Sequence, residues 1–199
     1  MEGKDLQQLI EGCIKQDRHS QELLYKGFYG FAMKICLRYA ANRYDASEVL
    51  NDGFFKVFTN IEKYDTNWPF KSWLSKIMLN TAIDYYRSNL RWSQMANLDK
   101  SDYTMNEATV EHKLGYEDLL GVIQRLPPAY RLIFNLYAID GYSHEEIAEM
   151  VGISASTSRS NLHKARQKLQ QMLTVPKSII AFFLFKYMDK KGQTNGNKP

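Results

Sequence analysis

GYSHEEIAEMVGISASTSRSNLHKARQKL, residues 141–169, opens like a metal-binding helix, passes through a Ser- and Thr-rich turn and ends strongly basic. A zinc-hydrolase helix needs two histidines four residues apart, so that both imidazoles face one ion. His144 meets Ala148 at that spacing, and His163 lies beyond a turn, so no metal site is expected. The same letters read well as two short helices. Ser143 with Glu146 has the spacing of a capping box, which starts a helix at Ser143. Ile147, Met150 and Val151 form its apolar face, and Ala148 is small where a second helix must cross closely. Gly152 supplies the φ > 0 that a turn of three or four residues requires. Ile153 is expected to plug the core beneath that turn, and Ser154 to cap the second helix.

That second helix turns Leu162 and Leu169 inward and Arg159, Ser160, His163, Lys164 and Arg166 outward. Between Met150 and Asp189 there is no acidic residue, whereas Arg159, Lys164, Arg166, Lys168, Lys177 and Lys186 all fall there. A basic helix of this kind fits the major groove, with its N-terminal residues at base edges and its cations on phosphates. The alternative is an αα-hairpin with an ordinary solvated polar face. Two caps, the Ala/Gly spacing and the non-acidic face together favour DNA reading.

Outward from this stretch nearly everything reads as helix. Leu6, Leu9 and Ile10, then Leu23, Leu24, Phe28, Phe31 and Ile35, recur at helical spacing. Leu50, Phe54, Val57 and Ile61 step along one helix face, with Asp45 and Glu48 spaced as a capping box ahead of them. Trp73, Leu74, Ile77, Ile83 and Tyr86 continue the pattern after Pro69, and Trp73 is read as core. Pro127 and Pro128 begin a further helix, since proline suits a first turn. No run shows sustained period-two alternation, so the fold class is all-α. Polar residues 92–114 read as a flexible linker between helical domains at 1–91 and 115–175. Residues 176–199 hold an apolar run and a polar tail. That run, near 179–185, is too short to span a bilayer. It is expected to pack on the second domain or bind a partner, and no stable membrane insertion follows.

A chain of 199 residues with 44% hydrophobic content is globular, and its net charge of +4 is modest. Cys13 and Cys36 have no CxxC spacing, so neither a disulfide framework nor a zinc knuckle is indicated, and a reducing cytoplasm suits them. The N-terminus has no apolar signal-peptide core. No catalytic cluster, phosphate loop or cofactor motif is present, so no enzyme and no cofactor is expected.

Two blocks in one order carry a resemblance. YDASEVLNDGFFKVFTNIEKYD and PFKSWLSKIMLNTAIDYYRSN, then LPPAYRLIFNLYAIDGYSHEEIAEMVGISASTSRSNLHKARQKL, resemble regions 2 and 4 of the extracytoplasmic-function (ECF) RNA polymerase sigma factors. The resemblance implies that the helix at 45–64 docks on the clamp helices of core RNA polymerase through Glu48, Asn51, Asp52 and Phe55. It implies that residues 70–91 melt the promoter DNA and read the −10 element. Asn80 would help form a pocket for an unstacked base, while Lys71, Lys76, Arg87 and Arg91 follow the strand. In region 4, Arg159, Ser160, His163 and Lys164 would face the −35 element, with Lys164 and Arg166 on phosphates. The linker would thread toward the RNA exit path, and an anti-sigma factor is an expected partner. Ser158 stands where the family often has an aliphatic anchor, and its hydroxyl is expected to bond back to the preceding turn. Asn161 replaces a frequent Arg. The competing reading is a DNA-binding regulator with an N-terminal sensor or dimer domain, which shares the helix-turn-helix but needs no docking helix and no melting segment.

Overall fold

The computed structural model describes residues 4–95 and 116–173, and among them every regular element is helical. Eight α-helices run in order: α1 (Lys4–Ile14), α2 (Arg18–Tyr39), α3 (Arg43–Asn60), α4 (Phe70–Met95), α5 (Tyr116–Gln124), α6 (Pro128–Phe134), α7 (His144–Val151) and α8 (Ala155–Met172). The chain divides into two compact units, Met1–Gln94 and Met95–Pro199. The apolar run near 179–185 and most of the polar stretch at 92–114 lie outside the described residues.

In the first unit α2 packs against α1 and α3. Asp17 caps α2 by accepting from the Ser20 amide at 2.9 Å and the Ser20 hydroxyl at 2.6 Å. The start of α3 differs from the sequence reading. Its cap is Asn42, whose side chain accepts from the Asp45 amide and donates to the Asp45 carboxylate. Asn leads the N-cap preferences, so the cap forms one turn earlier and places Asp45 inside the helix, where its charge favours the N-terminal dipole. Side chains dock α4: the Phe70 ring lies 4.8 Å from that of Phe28, and Met78 fills the space beside Gly53. A Cβ on Gly53 would sit 2.4 Å from the Met78 sulfur, so only glycine lets α3 carry this close packing undisturbed. Helix α4 runs past Arg91 to Met95, because residues 91–95 hold no Gly or Pro to stop it. Leu23, read with the apolar face of α2, is instead exposed. Cys13 and Cys36 are fully buried, and burial pushes their thiols up to about 11 and about 12. Both stay protonated and unreactive at neutral pH.

The second unit is built on α8, which contacts α5, α6 and α7. Pro127 and Pro128 begin α6 as expected, with Pro127 at the cap. The helix then widens into a π-turn at Asn135–Ile139. Arg131 is buried because its guanidinium donates to the carbonyls of Gln124 (2.7 Å) and Leu126 (3.2 Å). Gln124 ends α5 and Leu126 lies in the turn that follows, where carbonyls lack intrahelical donors, so main chain accepts from the buried guanidinium.

Candidate nucleic-acid interface

The α7–α8 turn forms as its sequence dictates. Ser143 and Glu146 make the full capping box, with the Glu146 amide donating to Ser143 Oγ at 3.1 Å and the Ser143 amide donating to Glu146 Oε2 at 2.7 Å. Gly152 adopts φ 76°, in the left-handed region that favours glycine. Ser154 caps α8 by accepting from the Thr157 amide at 3.0 Å. Ile147 and Val151 are buried beneath the turn, while Ile153 is only half-buried at its edge.

Helix α8 buries Ser158, Leu162, Ala165 and Leu169. At about 100° per residue, the side facing away from that core is a crest of Ser156, Ser160, His163 and Gln167, all exposed. Arg159 and Arg166 flank the crest on one side and Lys164 on the other. All five expected readers lie on or beside this crest, joined by Ser156 and Gln167, which the sequence reading missed and helical periodicity alone would have found. Arg166 is partly engaged elsewhere, its guanidinium lying 5.8 Å from the Tyr137 ring. Asn161 lies toward the inner side and is half-buried.

Ser158 is 0% exposed, and its hydroxyl forms a 2.9 Å hydrogen bond with His144 Nδ1. The expected bond to the preceding turn is replaced by one across the helix pair. The His144 ring also stacks on Tyr137, with centroids 4.5 Å apart and planes 20° apart. Next to it, Arg159 Nη2 donates to Glu145 Oε1 at 2.6 Å. Burial, and then the charges of Arg159 and Arg166, hold the His144 imidazole below the ordinary histidine range, with Glu145 opposing them. A lowered folded-state pKa means that the unfolded chain binds more protons once pH falls below about 6.5. Stability of this unit is thus full at neutral pH and falls as pH drops through that window. Melting followed at pH 7.5 and 5.5 is expected to show a smaller drop in His144→Phe than in the parent. Equal drops would deny the shift.

The first unit presents two further surfaces. On α3, Glu48, Asn51, Asp52 and Phe55 are all exposed on one face, and Tyr44, 81% exposed, joins them one turn earlier. Tyr44 was missed by the sequence reading, although its place four residues before Glu48 marks it. The Tyr25 hydroxyl donates to Asn51 Oδ1 at 3.3 Å, tying that face to α2. On α4, Lys76, Asn80 and Arg87 share a face with half-buried Trp73. Asp84 lies among them, and Lys56 of α3 holds its carboxylate at 2.8 Å. Lys71, in the first turn, is half a turn away from Asn80 and is not brought to this face. Arg91 is in the last turns of α4, and its side chain lies outside the described residues. Trp73, read as core, is half-buried and packs on Tyr64 and Phe70 at 5.3 and 5.6 Å between ring centroids.

Among the described residues, no group of three His, Cys, Asp or Glu side chains converges to hold a metal, and no helix is long and apolar enough to cross a membrane.

An all-α chain whose second unit presents a helix-turn-helix with a polar, cation-flanked outer crest is a DNA-binding protein in class. The sequence pattern "Sigma-70 region 2" matches residues 24–92, and "Sigma-70, region 4" matches residues 116–169. The chain belongs to the extracytoplasmic-function RNA polymerase sigma factors, and its function is promoter-specific initiation of transcription by RNA polymerase. It is similar to the ECF RNA polymerase sigma factor SigE of Mycolicibacterium smegmatis, 28% identical over 145 residues, a match covering 70% of this chain and 56% of that protein. The ECF RNA polymerase sigma-E factor of Haemophilus influenzae is 25% identical, over 84% of this chain and 94% of its own. A co-crystal structure of the sigma factor RpoE with the anti-sigma factor NepR from Bartonella quintana covers 78% of this chain and 98% of that chain, at 18% identity and TM-score 0.49.

Proposed function

We propose that the two units divide the work of promoter recognition. The exposed face of α3, with Phe55 and Tyr44 among Glu48, Asn51 and Asp52, docks on the clamp helices of core polymerase. The Lys76–Asn80–Arg87 face of α4 takes the melted −10 strand, and Arg91, one further turn along, extends the same track. The crest of α8 reads the −35 element, with Arg159 at a guanine edge and Lys164 on a phosphate. Lys71 belongs to the duplex approach rather than to the strand track, since it stands on the other side of α4. The protein works in the cytoplasm as a specificity subunit with no active site of its own, and an anti-sigma factor restrains it.

The observation that carries this reading is the presence in one chain of a recognition helix with an outward polar crest and a separate helix face bearing an exposed phenylalanine among carboxylates. A regulator that only binds DNA has use for the first and none for the second. Purified chain added to core polymerase and a promoter library, with the transcripts sequenced, is expected to give start sites that share a −35 and a −10 element. The same start sites from core alone would overturn it.

A further inference from the structure

We propose that His144 and Glu145, neighbours at the start of α7, are positioning residues for −35 reading: they clasp Ser158 and Arg159, neighbours in the first turn of α8. This rests on the assignment of α8 as the −35 reader. The two contacts are 2.9 Å (His144 Nδ1 to Ser158 Oγ) and 2.6 Å (Arg159 Nη2 to Glu145 Oε1). Two attachments side by side fix what one cannot, both the rotation of α8 about its axis and its slide along α7.

Each contact is placed where stability alone would not call for it. Ser158 is completely buried, and a buried hydroxyl needs a partner. Two apolar side chains of the same shape would hold the helices about as well, since replacing both members of a buried hydrogen bond is often nearly neutral. What the imidazole–hydroxyl pair adds is direction. It continues through the Tyr137 ring stacked on His144 to Arg166, whose guanidinium faces that same ring, so two points about two turns apart on α8 are tied to one cluster. The Glu145–Arg159 pair is more than half exposed on both sides, and such pairs contribute little to folding. Its consequence is orientation: a guanidinium held through one nitrogen keeps its remaining donors aimed, and less rotamer freedom is lost when they meet a base.

A carboxylate that merely stood near the DNA would act in the opposite sense. Removing it would tighten binding to every sequence alike, because it repels phosphates whatever the bases. Full-length Glu145→Gln, His144→Phe and Ser158→Ala proteins, each with core polymerase on a library randomised in the −35 element, separate the two. Glu145→Gln is expected to relax preference about tenfold at the position Arg159 reads, leaving the −10 preference unchanged. His144→Phe keeps the stack on Tyr137 but loses the bond. It and Ser158→Ala are expected to relax the same −35 positions as each other. Uniform tightening or weakening with the −35 preference intact would overturn the clasp. Glu145→Gln, an exposed and nearly isosteric change, decides this even where His144→Phe lowers stability. A parent protein with no −35 preference would instead overturn the assignment of α8 itself.

Discussion

Phe55→Ala is expected to leave the melting of the first unit almost unmoved and to weaken binding to core polymerase roughly thirtyfold or more. The same change one residue earlier should act first on folding. Phe54 is 2% exposed, with its ring 4.6 Å from Tyr25 and 6.0 Å from Phe58, while Phe55 is 70% exposed. Truncating a buried phenylalanine costs about 3–5 kcal/mol. That is a large share of a total stability of about 5–15 kcal/mol, so Phe54→Ala should unfold much of the unit. An exposed aromatic contributes little to folding, yet aromatic anchors dominate binding once a partner desolvates them. The two variants are compared by thermal melting and by titration of labelled chain onto core polymerase. Matching losses of stability would place Phe55 in the core. Unchanged polymerase affinity in Phe55→Ala would remove the docking role from this face.

The contrast between these neighbours was legible in the sequence, because Leu50, Phe54, Val57 and Ile61 share a helix face and Phe55 falls off it. The helix-turn-helix was legible for the same kind of reason. Ser143, Glu146, Gly152 and Ser154 each act within three or four residues of themselves, so local letters suffice. Asn42 is also local and was overlooked because a second cap-like pair, Asp45 and Glu48, follows it closely.

What could not be read is what depends on two helices meeting. The partner of Ser158 is His144, fourteen positions away, and nothing in spacing marks a half-buried histidine as the hydrogen-bond partner of a buried serine. The same holds for Lys56 and Asp84, which bring α3 and α4 together at 2.8 Å. Lys71 is the converse case. A count of basic residues along 70–91 groups it with Lys76 and Arg87, and only the helical angle separates it from them.

That angle also defines the second large effect. Asn80→Ala is expected to reduce formation of the open promoter complex about tenfold while changing closed-duplex binding less than twofold. The reason lies in when the side chain meets its target. Asn80 is exposed on α4 beside Lys76 and Arg87, while the next residue, Thr81, turns inward and donates to the Ile77 carbonyl at 2.8 Å. The amide is therefore presented outward from a firmly packed helix. A carboxamide hydrogen-bonds to base edges, and an unpaired base displays more of them than a base within the duplex. Cations on the same face act earlier and without sequence preference, so Lys76→Ala should weaken both complexes and lower the salt dependence by about one ion. Lys56 keeps the Asp84 carboxylate engaged within this surface, where an unpaired charge would repel the strand. Permanganate reactivity of unpaired thymines reports opening, and binding to a fully paired promoter that does not open reports the closed complex. Equal losses in both for Asn80→Ala would make it a duplex contact rather than a base-capturing one.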